Sequence, residues 1–445
     1  MPVGRVSRGA LLVVLSLPFL LTHGRYQQVA ALPGGVDVHA YDLAVLTLVI
    51  AAAFAARERW PAIWPAGRAV LVAVAAWVLW IGVGLAVPAL AGRDYDLGTR
   101  AVSAAGYAEL ALLAVAVPLL LRRRSDVLAL AVGLVVWCGV AALGGLIQFL
   151  GVDVLDASPF GRRQPSIVGY HDFAALGGTT AAVGFAVAAL RPAGLPAGFG
   201  PAAIGIGLAA LALSGSVAGI AGMAAAVAAV LLVAGRRGTL TRRRAAGLAA
   251  AFAVAATATV AIRGGDIDQF ARYLGLREQE EATRTAVQTY SQRTLLGYLG
   301  IRVFRDHPVV GVGWQATNDF ATLEPYLSDA RGRFDDVAAE AFPSPARSWG
   351  VQNAWIQALA DLGIVGFVLF ALALGVPAVV GLLHGLRAPP TESAIGLAAA
   401  AMLLVLAGIW TAQGLVAGLP ADSLTWIAAA LAIVASARRR LHRAD

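Results

Sequence analysis

Runs of apolar residues recur along the chain, separated by short polar stretches rich in arginine, and this alternation sets the fold before any motif is considered. A membrane-crossing helix needs about 20 mostly apolar residues, within a range of roughly 17 to 25. By that measure the pattern predicts about twelve spans, near 9–23, 39–56, 69–91, 101–121, 126–150, 168–190, 200–214, 217–235, 246–263, 352–384, 392–417 and 421–437. The seventh and eighth are short and are joined by Ser-Gly-Ser at 214–216. The expected fold is an all-α membrane protein of about 12 transmembrane helices with one large loop before the tenth.

The polar positions then orient these spans. Arg5 and Arg8, then Arg57, Arg59 and Arg68, then Arg122, Arg123 and Arg124, then Arg236, Arg237, Arg242, Arg243 and Arg244, then Arg438, Arg439, Arg440 and Arg443 all fall on one side. The positive-inside rule makes that side cytoplasmic, so both termini are expected inside and the long loop outside. An odd number of spans would put one of these clusters on the wrong side. The first apolar stretch follows a basic start, but VAALPGG after Arg25 makes a poor cleavage site and the topology needs this helix. It reads as a retained span of a plasma-membrane protein. The chain divides into 1–263 with spans one to nine, a loop at 264–348, and 349–445 with spans ten to twelve.

Composition sharpens the class. With 59% hydrophobic and 13% charged residues and a mean hydropathy of +0.74, the chain has more apolar surface than a water-soluble fold could bury. All 34 basic residues are arginine. The net charge of +8 lies mostly on the cytoplasmic flanks, where it serves topology and anionic lipid headgroups, and this excludes a nucleic-acid binder. The single cysteine, Cys138, sits in an apolar run, so neither a disulfide framework nor a thiolate metal site is available within the chain. No zincin motif, metal cluster or phosphate-binding glycine loop appears, and Gly311-Val-Gly313 reads as a turn. No cofactor or metal is expected.

The loop at 264–348 carries the candidate chemistry. It holds ten arginines, counting Arg263 at its edge, against about a dozen acids, so it is mixed in charge and no polybasic tail. Residues 266–290 read as one or two short polar helices. Residues 293–305 read as an amphipathic helix with Leu295, Leu296, Leu299 and Val303 on one stripe, suited to lie on the membrane surface or over a cavity. Pro308, Gly311 and Gly313 end it in a turn. The stretch 324–349, with Pro325, Pro343 and Pro345, shows no period and reads as a mobile lid. Asp361 falls about two turns into the tenth span, where an ionisable group is either functional or a structural bond to a neighbouring helix.

Several patches resemble one family. Arg293 followed by RVFRDHPVVGVGWQATNDF at 302–320 resembles the arginine, amphipathic helix and (D/E)HPxxGxG turn of the O-antigen ligase and polymerase family of bacterial membrane glycosyltransferases. NAWIQALADLGIVGFVLF at 353–370 resembles that family's HNxxLxxxxxxGxxG helix start, and GRRQPSIVGYHDFAAL at 161–176 its arginine-bearing loop before the sixth span. LALSGSVAGIAG at 211–222 is a weaker match, at a place where the family often has Ser-Arg-Gly.

The resemblance implies transfer of a glycan from an undecaprenyl-pyrophosphate carrier to an acceptor hydroxyl, on a glycan or lipid acceptor, at the outer face of the plasma membrane. A guanidinium meets two oxygens of a pyrophosphate leaving group without a metal. It implies Arg293, Arg162 and Arg163 on the pyrophosphate, with Arg302 and Arg305 behind them, and Gln352 and Asn353 on the acceptor side. Two positions depart from the pattern. Gln352 stands where the family has histidine, and glutamine orients a hydroxyl but takes no proton. Proton acceptance then falls to His307, Asp306, His171 or Asp172, or a loose transition state asks for little base help. Alternatively, His307 packs in the turn, and His171 and Asp172 cap a helix. Val217 stands where the family often has arginine. A polymerase of the same family, a lipid-linked sugar transporter and an inactive homologue are the competing readings.

Overall fold

The computed structural model describes residues 5–444 except 33–35, 93–94, 156, 159–161, 193, 266–267, 269–275, 277–288, 336 and 417. Apart from a short hairpin of β1 (Gln28–Leu32) with β2 (Val36–His39), the described elements are helical. They are α1 (Arg8–Leu20), α2 (Ala40–Leu90), α3 (Leu97–Ala111), α4 (Leu113–Leu120), α5 (Arg124–Phe149), α6 (Tyr170–Leu190), α7 (Phe199–Ser214), α8 (Val217–Arg236) and α9 (Arg242–Ile262). The loop contributes α10 (Thr289–Asp306), and α11 (Ala354–Arg387), α12 (Pro390–Ile409) and α13 (Pro420–Ala444) complete the bundle. The polar helices expected within 266–290 fall almost wholly outside the described residues.

Nine helices among the described residues are long and apolar enough to cross a membrane, counting α3 and α4 as one, and α1 and α7 are shorter apolar helices. The expectation of two spans within 39–91 meets a single 51-residue helix, α2. At about 1.5 Å per residue a straight rod of that length would be about 76 Å, more than twice a hydrocarbon core of about 30 Å. Its contacts exclude a rod. Tyr41 near its start touches Gly418, while Gly84 and Pro88 near its end touch Trp314 and Gly313. These partners share one side, since the Gln315 side chain donates to the Leu415 carbonyl at 2.8 Å. Arg59 instead reaches the Leu121 carbonyl at the opposite side. The helix therefore folds back near Pro61 and Pro65, where missing N–H groups weaken the ladder. Counted as two passes, α2 brings the crossings to twelve.

The basic clusters gather opposite the loop. Arg123 donates to the Arg5 carbonyl at 3.2 Å, and Arg237 donates to the carbonyls of Gly385, Leu386 and Ala388 at 3.0–3.2 Å. At the centre, α6, α12 and α13 are almost fully buried, whereas α9 is peripheral. Close approach of α6 and α7 depends on small residues, because a side chain at Gly177 or Gly207 would strike the facing backbone. Outward-facing Phe54 and Leu90 are exposed over most of their surface, as a lipid-facing bundle requires.

The loop is packed. The stripe Leu295, Leu296, Leu299 and Val303 is wholly buried, against Leu323, Leu327, Ala330, Phe334 and Phe342. The stretch read as a lid thus forms short helices at Glu324–Tyr326, Leu327–Arg333 and Ala339–Ala341, and its apolar residues Leu327, Ala330, Phe334 and Phe342 pack in a small core over α10.

Candidate functional site

The turn after α10 is fixed by a break in α11. Gly363 there has φ 68° and ψ −170°, which interrupts the helix and frees carbonyls. The loop backbone takes them up: Val312 N–H donates to the Ala360 carbonyl at 3.1 Å, and Gly313 N–H to that of Asp361 at 2.8 Å. In return Ile364 N–H donates to the Pro308 carbonyl at 2.8 Å. A β-carbon on Gly311 or Gly363 would come within 2.2–2.3 Å of the opposing backbone. Pro88 lacks the N–H that would bind the Gly84 carbonyl, and Trp314 N–H donates to that carbonyl at 3.1 Å. Asp361 is 1% exposed, and it accepts from Thr317 N–H and from the Gln357 amide, each at 2.9 Å. The Thr317 bond tethers the loop to α11 and the Gln357 bond, within that helix, holds the carboxylate in place, so Asp361 is accounted for structurally.

With α10 anchored in this way, its free face covers a cavity of about 790 Å³ among the loop-side ends of α6, α8, α9 and α11. Arg163, Arg263, Arg293 and Arg333 line it, together with His171, Ser216, Thr294, Tyr298, Asn353 and Thr411, and among the described residues no carboxylate lines it. Arg293 is held at two points: its Nε donates to Gln352 Oε1 at 3.3 Å and its Nη2 lies 2.9 Å from His171 Nε2. Because a guanidinium only donates, His171 Nε2 is the acceptor and the ring proton sits on Nδ1. The Arg163 guanidinium stacks on Tyr170, 4.4 Å from the ring centroid. The side chains of Arg163 and Arg263 both pack over Gly215, where a β-carbon would meet them at 2.8 and 3.2 Å. Arg263 is only 5% exposed. Arg333 lies over the Tyr298 ring, whose phenol is pushed up first by its bond to the Asp329 carboxylate and stays a donor.

The structure brings together Arg293, Arg163, His171, Gln352 and Asn353 from the expected set. Gln352 turns to Arg293, and Asn353 caps α11 by accepting from the N–H groups of Trp355 and Ile356, both at 3.1 Å. Asp172 points elsewhere, accepting from Ala421 N–H at 3.0 Å at the start of α13. Arg162 is exposed and off the cavity lining, as is Arg305. Arg302 pairs with Asp329 at 3.4 Å, Asp306 accepts from the Tyr326 hydroxyl at 2.8 Å, and His307 ends α10 through its N–H to the Val303 carbonyl. None of these last three lines the cavity. Arg263 and Arg333 do line it, and the sequence pattern does not single them out. For Arg263 the available signal was position, since it is an arginine directly abutting an apolar span on the side where short loops carry few. Val217, at the family's arginine position, is on the cavity wall. A smaller cavity of about 90 Å³ elsewhere in the bundle is lined by Arg124 and otherwise mostly by apolar side chains such as Leu17, Leu134 and Met402.

These features define a polytopic all-α membrane protein with an arginine-lined cavity at one membrane face. Residues 202–371 match the family model described as O-antigen ligase, so this part of the chain is similar to that family. The matched segment runs from α7 into α11 and includes Arg263, Arg293, Gln352 and Asn353, while Arg163 and His171 precede it. No curated protein matches the chain.

Proposed function

We propose that the chain is a glycosyltransferase of the O-antigen ligase type, moving a glycan from an undecaprenyl-pyrophosphate carrier to an acceptor hydroxyl at the outer face of the plasma membrane. The observation that carries this reading is the convergence of Arg163, Arg263 and Arg293 on one cavity at the loop-side end of the bundle. Guanidinia gathered in one place match the paired oxygens of a diphosphate. A diphosphate bearing a glycan suits that charge, and a lipid tail suits the surroundings.

In the reaction the acceptor oxygen bonds to the anomeric carbon while the bond from that carbon to the pyrophosphate breaks. Negative charge then gathers on the leaving oxygens, where fixed donors act most strongly. Arg293 is oriented on the cavity wall by Gln352 at Nε and His171 at Nη2. Gln352 accordingly serves as a positioning residue for Arg293. The acceptor's proton passes to water, and leaving-group stabilisation carries the rate.

The test is transfer by the purified, lipid-reconstituted chain supplied with lipid-linked glycan and acceptor. Arg293→Ala is expected to lower the rate about 10²–10³-fold, the usual effect of removing one such donor. Equal transfer by both would remove Arg293 from the site, and no transfer from any lipid-linked donor would remove the enzyme reading.

A further inference from the structure

A second set of cavities lies between α7 and α9, away from the arginine cavity. One of about 580 Å³ and one of about 630 Å³ share Ala188, Pro201, Gly247 and Leu248, so they form a continuous groove. Its mouth, on the side opposite the loop, carries Arg191 and Arg244, and Arg124 approaches it with Nη2 3.5 Å from the β-carbon position of Gly194. Among the described residues no acidic side chain lines either part. Below the mouth the lining is wholly apolar, including Ile204, Leu208, Ala251 and Ala255. The walls are open: a β-carbon on Gly205 or Gly247 would meet nothing within 4 Å.

We propose that this groove holds an anionic phospholipid of the leaflet opposite the loop, with its phosphate on Arg191 and Arg244 and one acyl chain laid between α7 and α9. Charge fixes the choice of occupant, since guanidinia at a membrane surface recognise phosphate and a zwitterionic headgroup returns part of that attraction. Length agrees, because α9 from Arg244 to Ala258 runs about 21 Å at about 1.5 Å per residue, within a hydrocarbon core of about 30 Å. The lipid also fills a gap in the packing. α9 is the least buried of the membrane helices among the described residues. Bracing it steadies Arg263, one residue beyond its end, in the arginine cavity. That last link rests on the proposed function, whereas the lipid site does not.

The experiment exchanges the detergent-purified full chain with phosphatidylglycerol or phosphatidylcholine and reads retained lipid by native mass spectrometry, with melting temperature alongside. The wild-type chain is expected to retain phosphatidylglycerol about tenfold over phosphatidylcholine and to melt higher with it. Arg191→Gln/Arg244→Gln should lose both effects, and Ala251→Phe, which fills the groove, should retain neither lipid. Equal retention of the two lipids by the wild-type chain, or an unchanged preference in the arginine variant, overturns the proposal. So does a polyprenyl phosphate, or a second copy of the chain, found in place of phospholipid. Because lipid retention is read without glycan transfer, failure of the glycosyltransferase reading leaves this outcome intact.

Discussion

At the scale of single residues, the position that departs most from the family pattern turns out to face the arginine it was expected to work beside. Gln352 spends its carbonyl oxygen on Arg293 Nε, and His171 holds Nη2. A carboxylate at 352 would keep this geometry but pair with Arg293 as an ion, taking charge that a diphosphate needs. Gln352→Glu is therefore expected to weaken prenyl-diphosphate binding at least tenfold, with a smaller loss in Gln352→Ala, as read by titration of the purified chain. The reverse order would mean that Gln352 does not set Arg293. Gln352→His is expected to bring no gain in transfer rate, because a side chain held against Arg293 is not placed on the acceptor. A gain would return position 352 to proton transfer. Arg293 and Gln352 stood out in the sequence because each sits in a motif. Arg263 did not, because its role depends on Gly215 and Arg163 being folded against it, and no local pattern encodes that meeting.

At the scale of elements, the site depends on two interrupted helices. The break in α11 at Gly363 and the proline in α2 at Pro88 both free carbonyls, and one loop segment, 308–314, satisfies them. Gly363→Ala would put a β-carbon into the Val309 carbonyl and hold a left-handed backbone, which alone costs on the order of 1–3 kcal/mol. A lowered melting temperature is expected, and an unchanged one would contradict the zipped-turn account. Asp361→Ala strands the Thr317 N–H and the Gln357 amide, at about 1–3 kcal/mol for each buried unsatisfied group. If Asp361 is structural, residual transfer per folded molecule should stay near the wild-type rate. Leu299→Ala, in the buried stripe of α10, should cost about 2–5 kcal/mol of loop stability, read as faster proteolysis at 324–349.

The same scale shows what periodicity reveals. The stripe on α10 was legible because a 3.6-residue repeat survives over about two and a half turns. The packed stretch 324–349 was not, because its helical pieces are three to seven residues long and its buried residues come one at a time. The β1–β2 hairpin escaped for a similar reason, since four or five residues amid apolar spans give no clear alternation.

At the scale of the molecule, the nine membrane-length helices among the described residues, the two shorter apolar helices and the fold-back of α2 make twelve passes, and an even count would place both termini on one side. The arginine clusters share that side in the structure, with Arg123 against Arg5 and Arg59 near Arg122. By the positive-inside rule we propose that this side faces the cytoplasm and that the arginine cavity opens outward, where the proposed reaction needs it. The prediction is direct because the native thiol is silent: Cys138 is fully buried. A membrane-impermeant thiol reagent applied to intact cells should label Arg305→Cys, on the exposed surface of the loop, and leave Arg236→Cys unlabelled until the membrane is permeabilised. The opposite pattern would put the cavity on the cytoplasmic face and remove the outward-facing reading, however well Arg293 bound a diphosphate. Labelling of both in intact cells would mean an even number of crossings between residues 236 and 305. The single helix α9 separates those positions, so that result would isolate the error to α9, the least buried helix of the bundle.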